Sequence, residues 1–197
     1  MRSLQVLSVD FFATIELMTG KLIFVSGLTG AGKTTLVGKA LDNIDNLKVL
    51  LTYVTRPMRQ GEEDSYEYVF VNDEQYDSIK KLSSNWDETI FHDVKYGSDA
   101  EIYKRDLQLG VNIIVSVTPD MDDINTMANI YDTRPITIWI DTTPEIAASR
   151  VTNDLDRSSR AEDDSVKSYF DIIFTPADDL NKDSTEFIKL IQSLINS

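Results

Sequence analysis

The sequence predicts an α/β fold in which a parallel, doubly wound sheet is sandwiched between helices. Short β-rich apolar runs alternate with longer helical stretches along most of the chain, the rhythm of right-handed strand–helix–strand crossovers. One of those runs leads directly into a glycine-rich loop and then a helix. A length of 197 residues, 42% of them hydrophobic, suits one α/β domain able to bury a full sheet.

The elements follow in order. "KLIFVS" (21–26) reads as a buried strand, and the loop at 27–32 opens a helix from Lys33 to about Ile44. "KVLLTYV" (48–54) reads as a second strand. "YEYVFV" (66–71) alternates large apolar residues and suits a strand of a small side sheet. "NDEQYDSIKKL" (72–82) begins with an Asn or Asp cap and carries helical spacing. "VNIIVSV" (111–117) is another buried strand, followed by a helix at about 120–131. "PITIWID" (135–141) is a further strand, and "TPEIAASRVTND" (143–154) a helix with proline in its first turn. "FDIIF" (170–174) is a last strand, and "STEFIKLIQSLI" (184–195) a closing amphipathic helix.

The polar, turn-rich region of about 55–98 interrupts this alternation and reads as an inserted lobe. The expected organisation is a domain over 18–197, with its core in 18–54 and 99–197 and a short lid at about 151–165. Residues 1–17 look like an extension outside the fold, with Met18 as the expected natural start. That segment is not a secretory signal, because Asp10 and Glu16 interrupt its apolar stretch.

Composition narrows the function. Nineteen Lys plus Arg against 33 Asp plus Glu give a formal charge of −14, which argues against broad binding to nucleic acid or an anionic membrane. No apolar run approaches the roughly 20 residues that span a bilayer. With no cysteine there is no disulfide framework, and the reducing cytoplasm is the simplest location. A monomer or homodimer acting on small molecules is expected. Where the few arginines fall therefore carries information.

"GLTGAGKTT" (27–35) satisfies G-x4-G-K-[ST]. Gly27, Gly30 and Gly32 let the backbone of Leu28, Thr29 and Ala31 turn its N–H groups inward, forming an anion nest at the positive end of the next helix. Lys33 suits the β and γ phosphates of a nucleoside triphosphate, Thr34 suits Mg²⁺ through its hydroxyl, and Thr35 extends the phosphate contacts. The bland alternative is a turn that merely caps a helix.

A second basic cluster lies in "TYVTRPMRQGEEDSYEYVFV" (52–71). Arg56 and Arg59 stand just beyond the second strand, at the edge where open α/β sheets bind ligands. With Thr52, Thr55, Tyr66 and Tyr68 they suit a second anion, because guanidinium forks match phosphate oxygens. The alternative is a solvated loop whose arginines pair with Glu62, Glu63 and Asp64.

This stretch resembles the guanylate kinase family, whose acceptor segment reads roughly S-x-T-T-R-x-P-R-x-G-E-x-x-G-x-D-Y-x-F. Laid over it without gaps, Thr52 takes the serine position. Thr55 and Arg56 match T-R, and Arg59 the second arginine. Gly61 and Glu62 match G-E, and Tyr68 and Phe70 the aromatic pair. Departures are Val54 for a threonine, proline shifted to 57, and Ser65 for a glycine. A further match is Tyr96-Gly97-Ser98, with Asp87 at the family's acidic position nine residues earlier and Glu88 as a near substitute. The resemblance implies that the arginines and tyrosine hold an acceptor phosphate, while the carboxylate and the hydroxyl read a guanine edge. A carboxylate can accept from N1–H and the 2-amino group, a donor pair that adenine lacks. His92 is assigned no role.

Two segments depart from the family. Its Asp-x-Asp, which helps organise Mg²⁺ and contacts guanine, aligns with Ser116 and Thr118, with Asp120 two residues further on. A related branch, the ribose bisphosphate phosphokinases, has a polar segment there too. In the lid, Arg150 matches the first family arginine by its distance from "TTPE", while the shortened segment leaves Arg157 and Arg160 without a register. An exposed helix with ion pairs to Asp154, Asp156 and Asp163 is the alternative. The resemblance, over about 20–195, implies ATP- and Mg²⁺-dependent phosphorylation of a nucleoside monophosphate, GMP or dGMP preferred. Arg150, Arg157 and Arg160 would stabilise the transferring phosphoryl group. The rivals are a kinase of another acceptor, such as ribose bisphosphate, and a non-catalytic guanylate-kinase-like binding module.

Overall fold

Strand β1 (Leu22–Gly27) is apolar almost throughout and every one of its residues is buried, as expected of a strand covered by helices on both faces. A computed structural model of the protein describes residues 19–59, 62, 66–117, 121–150 and 164–197. The expected N-terminal extension and most of the expected lid fall outside the described residues.

β1 is the centre of a five-stranded sheet. It is joined by β2 (Leu47–Val49), β7 (Asn112–Ser116), β8 (Ile136–Ile140) and β9 (Ile172–Phe174), in the order β2-β7-β1-β8-β9. Every pairing is parallel. The carboxyl ends of the strands therefore share one edge, where open parallel sheets hold their ligands. Successive residues of β1 point to opposite faces. Ile23 and Val25 pack under α1 (Lys33–Leu41) and α6 (Leu180–Ile195), against Leu36, Val37, Ala40, Phe187 and Ile191. Leu22 and Phe24 belong to the other layer, with α3 (Ala100–Gln108) and α4 (Met121–Ile130) contributing Tyr103, Leu107 and Ile124. Trp139 fills that layer edge-on to Phe170, at 5.3 Å between ring centroids. The parallel sheet between helices is the fold class the sequence predicts.

A second sheet has the order β4-β3-β6-β5, built from β3 (Thr52–Val54), β4 (Tyr68–Phe70), β5 (Trp86–Phe91) and β6 (Val94–Asp99). β3 and β4 run parallel, while β3–β6 and β5–β6 are antiparallel. The capping signal at Asn72 holds: its side chain accepts from the Gln75 N–H and the Gln75 side chain accepts from the Asn72 N–H, opening α2 (Asp73–Lys80).

The single strand expected over 48–54 is two strands in two sheets. The Leu50 N–H donates to Ile114 O of the large sheet at 3.0 Å, and the Thr52 N–H already donates to Glu67 O at the start of the small one, at 2.8 Å. Continuous apolar character hides that exchange, because both sheets accept it. The hairpin β5–β6 and helix α3 carry no sequence expectation. β5 reads "WDETIF", too polar to announce itself, and the turn is made by His92 (φ 47°) and Asp93 (φ 61°) in place of the usual glycine. Helix α6 starts earlier than its amphipathic pattern, because Asp179 accepts from the Asn181 and Lys182 N–H groups. The preceding helix is described as α5 (Pro144–Arg150).

Candidate active site

The phosphate loop leaves β1 at Gly27, whose φ of 144° is open only to glycine at low cost. A Cβ there would also meet the Ile140 carbonyl oxygen at 2.7 Å, so β8 packs hard against the start of the loop. At the other end Gly32 caps α1 with φ 96° and no side-chain acceptor among the described residues, which leaves the first amides of α1 for an anion. The Lys33 ammonium donates to the Gly27 and Leu28 carbonyls at 2.6 and 2.9 Å, curled over the loop it is expected to serve. Arg150, the last residue of α5, arrives from the far side of the chain. Its guanidinium donates to the Gly30 and Ala31 carbonyls at 3.4 Å each and pairs with Asp178 at 2.5 Å. Of the three expected lid arginines, this one is beside the loop; Arg157 and Arg160 lie outside the described residues.

Arg56 follows β3 and is 9% exposed. It forks onto Glu62, with N–O distances of 2.7 and 2.8 Å, and donates to the Pro57 carbonyl at 3.1 Å. The guanidinium lies over the rings of Tyr68 and Phe70, 5.5 and 5.2 Å from their centroids. Burial alone would weaken its charge, but Glu62 and Tyr96 raise its pKa above the usual value. Burial likewise pushes the Glu62 carboxyl up, yet the Arg56 fork and the Arg59 N–H hold it below the usual carboxylate range. Arg56 Nε–H is buried without an acceptor among the described residues. An unmet charged donor costs on the order of 1–3 kcal/mol, so the cluster suits an added anion. Arg59 is exposed, and its backbone N–H donates to Glu62 at 2.9 Å. Thr55 is occupied otherwise: its hydroxyl accepts from the Lys95 N–H, tying the end of β3 to β6. Thr52 is half-buried on β3.

Asp87 and Ser98 are direct cross-strand partners in the β5–β6 hairpin, so they share one face. Tyr96, two residues from Ser98, shares it too. The Tyr131 hydroxyl sits between the pair, 3.2 Å from Ser98 Oγ and donating to Asp87 Oδ2 at 3.3 Å. Tyr131 follows α4, is 2% exposed, and has its phenol pKa raised chiefly by burial and then by Asp87. Glu88 faces the other way, bonded to Lys80 and Tyr76, and is no substitute for Asp87. Gly97 leaves room for two large neighbours: a Cβ there would come within 2.5 Å of Trp86 Nε1 and also strike the Tyr76 hydroxyl. Gly97→Ala should lower stability by about 1–3 kcal/mol through overpacking, read as a fall in the thermal midpoint.

Two site residues escaped sequence reasoning, Tyr131 and Glu67. Glu67 is 4% exposed, and its carboxylate accepts from the Ser116 hydroxyl at the end of β7. The Ser116 N–H, the Thr34 hydroxyl and the Lys33 ammonium favour its charged form. Burial pushes its carboxyl up and these donors oppose that. Its position directly before Tyr68 was the available signal, since the acceptor segment quoted above carries an acid there.

The guanylate kinase family model matches residues 19–194. The chain belongs to the guanylate kinase family. Among curated relatives it is 31% identical over 98 residues to the guanylate kinase of Desulfotalea psychrophila, covering 50% of this chain and 48% of that one. It is 25% identical over 199 residues to that of Bacteroides thetaiotaomicron, covering 95% and 96%. The match thus spans about half the length of the first of these relatives and nearly all of the second. In structure, the guanylate kinase of Anaplasma phagocytophilum superposes with a TM-score of 0.67 at 17% identity over 91% of this chain and 88% of that one, a likeness of fold.

At the end of β7 the chain departs from the family pattern given above. Ser116, in place of the first family aspartate, donates its hydroxyl to Glu67. Thr118, in place of the second, lies outside the described residues.

Proposed function

We propose that the protein transfers the γ-phosphoryl group of ATP to a nucleoside monophosphate, with GMP and dGMP the acceptors its site suits best. The observation that carries this reading is the joining of two anion sites through consecutive residues. Glu67 accepts from Ser116, whose strand partner Val25 leads into the phosphate loop, and Tyr68 lies under the Arg56 guanidinium of the second cluster. A donor and an acceptor phosphate held by these groups are close neighbours, which is what direct transfer requires.

In this reading Lys33 and the loop amides hold the triphosphate, and Arg56, Arg59 and Tyr68 hold the acceptor phosphate. Arg150, with Arg157 or Arg160 from the lid, answers the charge on the moving phosphoryl group. The small sheet forms the acceptor lobe and closes with the lid to exclude water. The donor set fits Mg²⁺: hydroxyls of Thr34 and Ser116 and the Glu67 carboxylate are hard oxygen groups. No cluster of three or more His, Cys, Asp or Glu able to cage a metal occurs among the described residues. Thr34 would thus hold the ion together with phosphates and waters. When bound, Mg²⁺ would supply positive charge that offsets the negative charge of the triphosphate. The cysteine-free composition and the absence, among the described residues, of a helix long and apolar enough to cross a membrane support a cytoplasmic enzyme.

Asp87 reads the guanine edge with Ser98, and Tyr131 aims both. Tyr131→Phe should raise the KM for GMP by about 10-fold with kcat little changed, the value of roughly one hydrogen bond to a charged group. Chromatographic detection of GDP from GMP and ATP tests the reading. A chain that binds ATP yet forms no nucleoside diphosphate would be a binding module.

A further inference from the structure

The buried Glu67 carboxylate has more partners than lobe packing requires. It accepts from the Ser116 hydroxyl at the end of β7, while the Ser116 N–H and, from a second segment, the Thr34 hydroxyl at the start of α1 favour its charged form. A carboxylate that is 4% exposed is costly unless hydrogen-bonded, and here its bonds point at the phosphate loop. Its own backbone belongs to the small sheet, where the Glu67 carbonyl accepts from the Thr52 N–H at 2.8 Å. Ser116 carries no charge, so among these three side chains Glu67 alone brings a negative charge toward the waters of a dication.

We propose that Glu67 is a positioning residue for the divalent cation of the nucleoside triphosphate: it aims the Thr34 hydroxyl and accepts hydrogen bonds from metal-bound water. Because Glu67 leads into β4 while Thr34 and Ser116 belong to the large sheet and its first helix, the same contact couples the metal–nucleotide site to the small sheet. The proposal rests on the phosphoryl-transfer reading but not on the identity of the acceptor.

The test uses Mn²⁺ as a probe of the full chain with ADP and no acceptor. Free Mn²⁺ is followed by its electron paramagnetic resonance signal. Glu67→Gln preserves shape and should weaken Mn²⁺ binding to the protein–ADP complex by about 10- to 100-fold, the usual loss when a group supporting a metal ligand is removed. ADP affinity in the presence of a chelator should stay within about 3-fold of the native value, well inside that metal effect. The double variant Glu67→Gln/Ser116→Asp returns a carboxylate to the same place from the opposite strand. It should recover most of the lost Mn²⁺ affinity, and it also reads the idea if the single variant folds poorly. Unchanged Mn²⁺ affinity in Glu67→Gln would overturn the proposal. So would equal loss of metal-free and metal-dependent ADP binding, which would assign Glu67 to packing. Failure of every acceptor to be phosphorylated with the Mn²⁺ result intact would instead count against the acceptor reading.

Discussion

Replacing Arg56 with alanine should raise the KM for the acceptor nucleotide by about 10²-fold or more while ATP affinity changes far less. Hydrogen bonds to charged groups contribute about 1.5–3 kcal/mol each, and a guanidinium can place two on one phosphate. The lower limit of two such bonds, about 3 kcal/mol, is already more than a hundredfold. The fork onto Glu62 does not compete with this role, because Nε–H is still buried without an acceptor among the described residues. Arg56→Lys keeps a charge but not the fork, so it should fall between the two. Steady-state kinetics with GMP varied, set beside titration of a non-hydrolysable ATP analogue, gives the comparison. Equal loss of both affinities would contradict the assignment of Arg56 to the acceptor.

Lys33→Ala should lower kcat by about 10²- to 10³-fold, the scale seen when one preorganised donor to developing charge is removed. The ammonium now lies 2.6 and 2.9 Å from two carbonyls of the loop, within reach of any phosphate seated there. Its loss also leaves those carbonyls without a donor, so Lys33→Met, which keeps the stem, separates charge from packing. Single-turnover measurement isolates the transfer step. A variant that loses ATP binding but transfers at the native rate once saturated would show that Lys33 only binds.

The large sheet was legible because β1, β7 and β8 are apolar on both faces, and few other structures ask for that. The phosphate loop was legible for a chemical reason. Positive φ at Gly27, Gly30 and Gly32 and a row of inward amides demand glycine at fixed spacing. The rest was hidden where burial depends on remote partners. Glu67 sits among acids and tyrosines in a stretch that reads as solvated, and its burial comes from Ser116, 49 residues away. Tyr131 completes the Asp87–Ser98 pair from 33 residues beyond Ser98, with no local pattern to mark it. The exchange of sheets at Leu50 is silent in sequence because a β-prone run serves either sheet. Arg56 shows a different limit: the pairing with Glu62 that seemed a rival to phosphate binding is present together with an unmet donor.

The most direct test of the account is ADP release from ATP, coupled to an indicator enzyme, with GMP, dGMP, AMP, UMP, dTMP and ribose bisphosphate offered in turn. GMP or dGMP should give the highest kcat/KM, with AMP lower by about 10²-fold or more, because adenine leaves the Asp87 carboxylate unpaired. No stimulation by any nucleoside monophosphate would contradict the central claim.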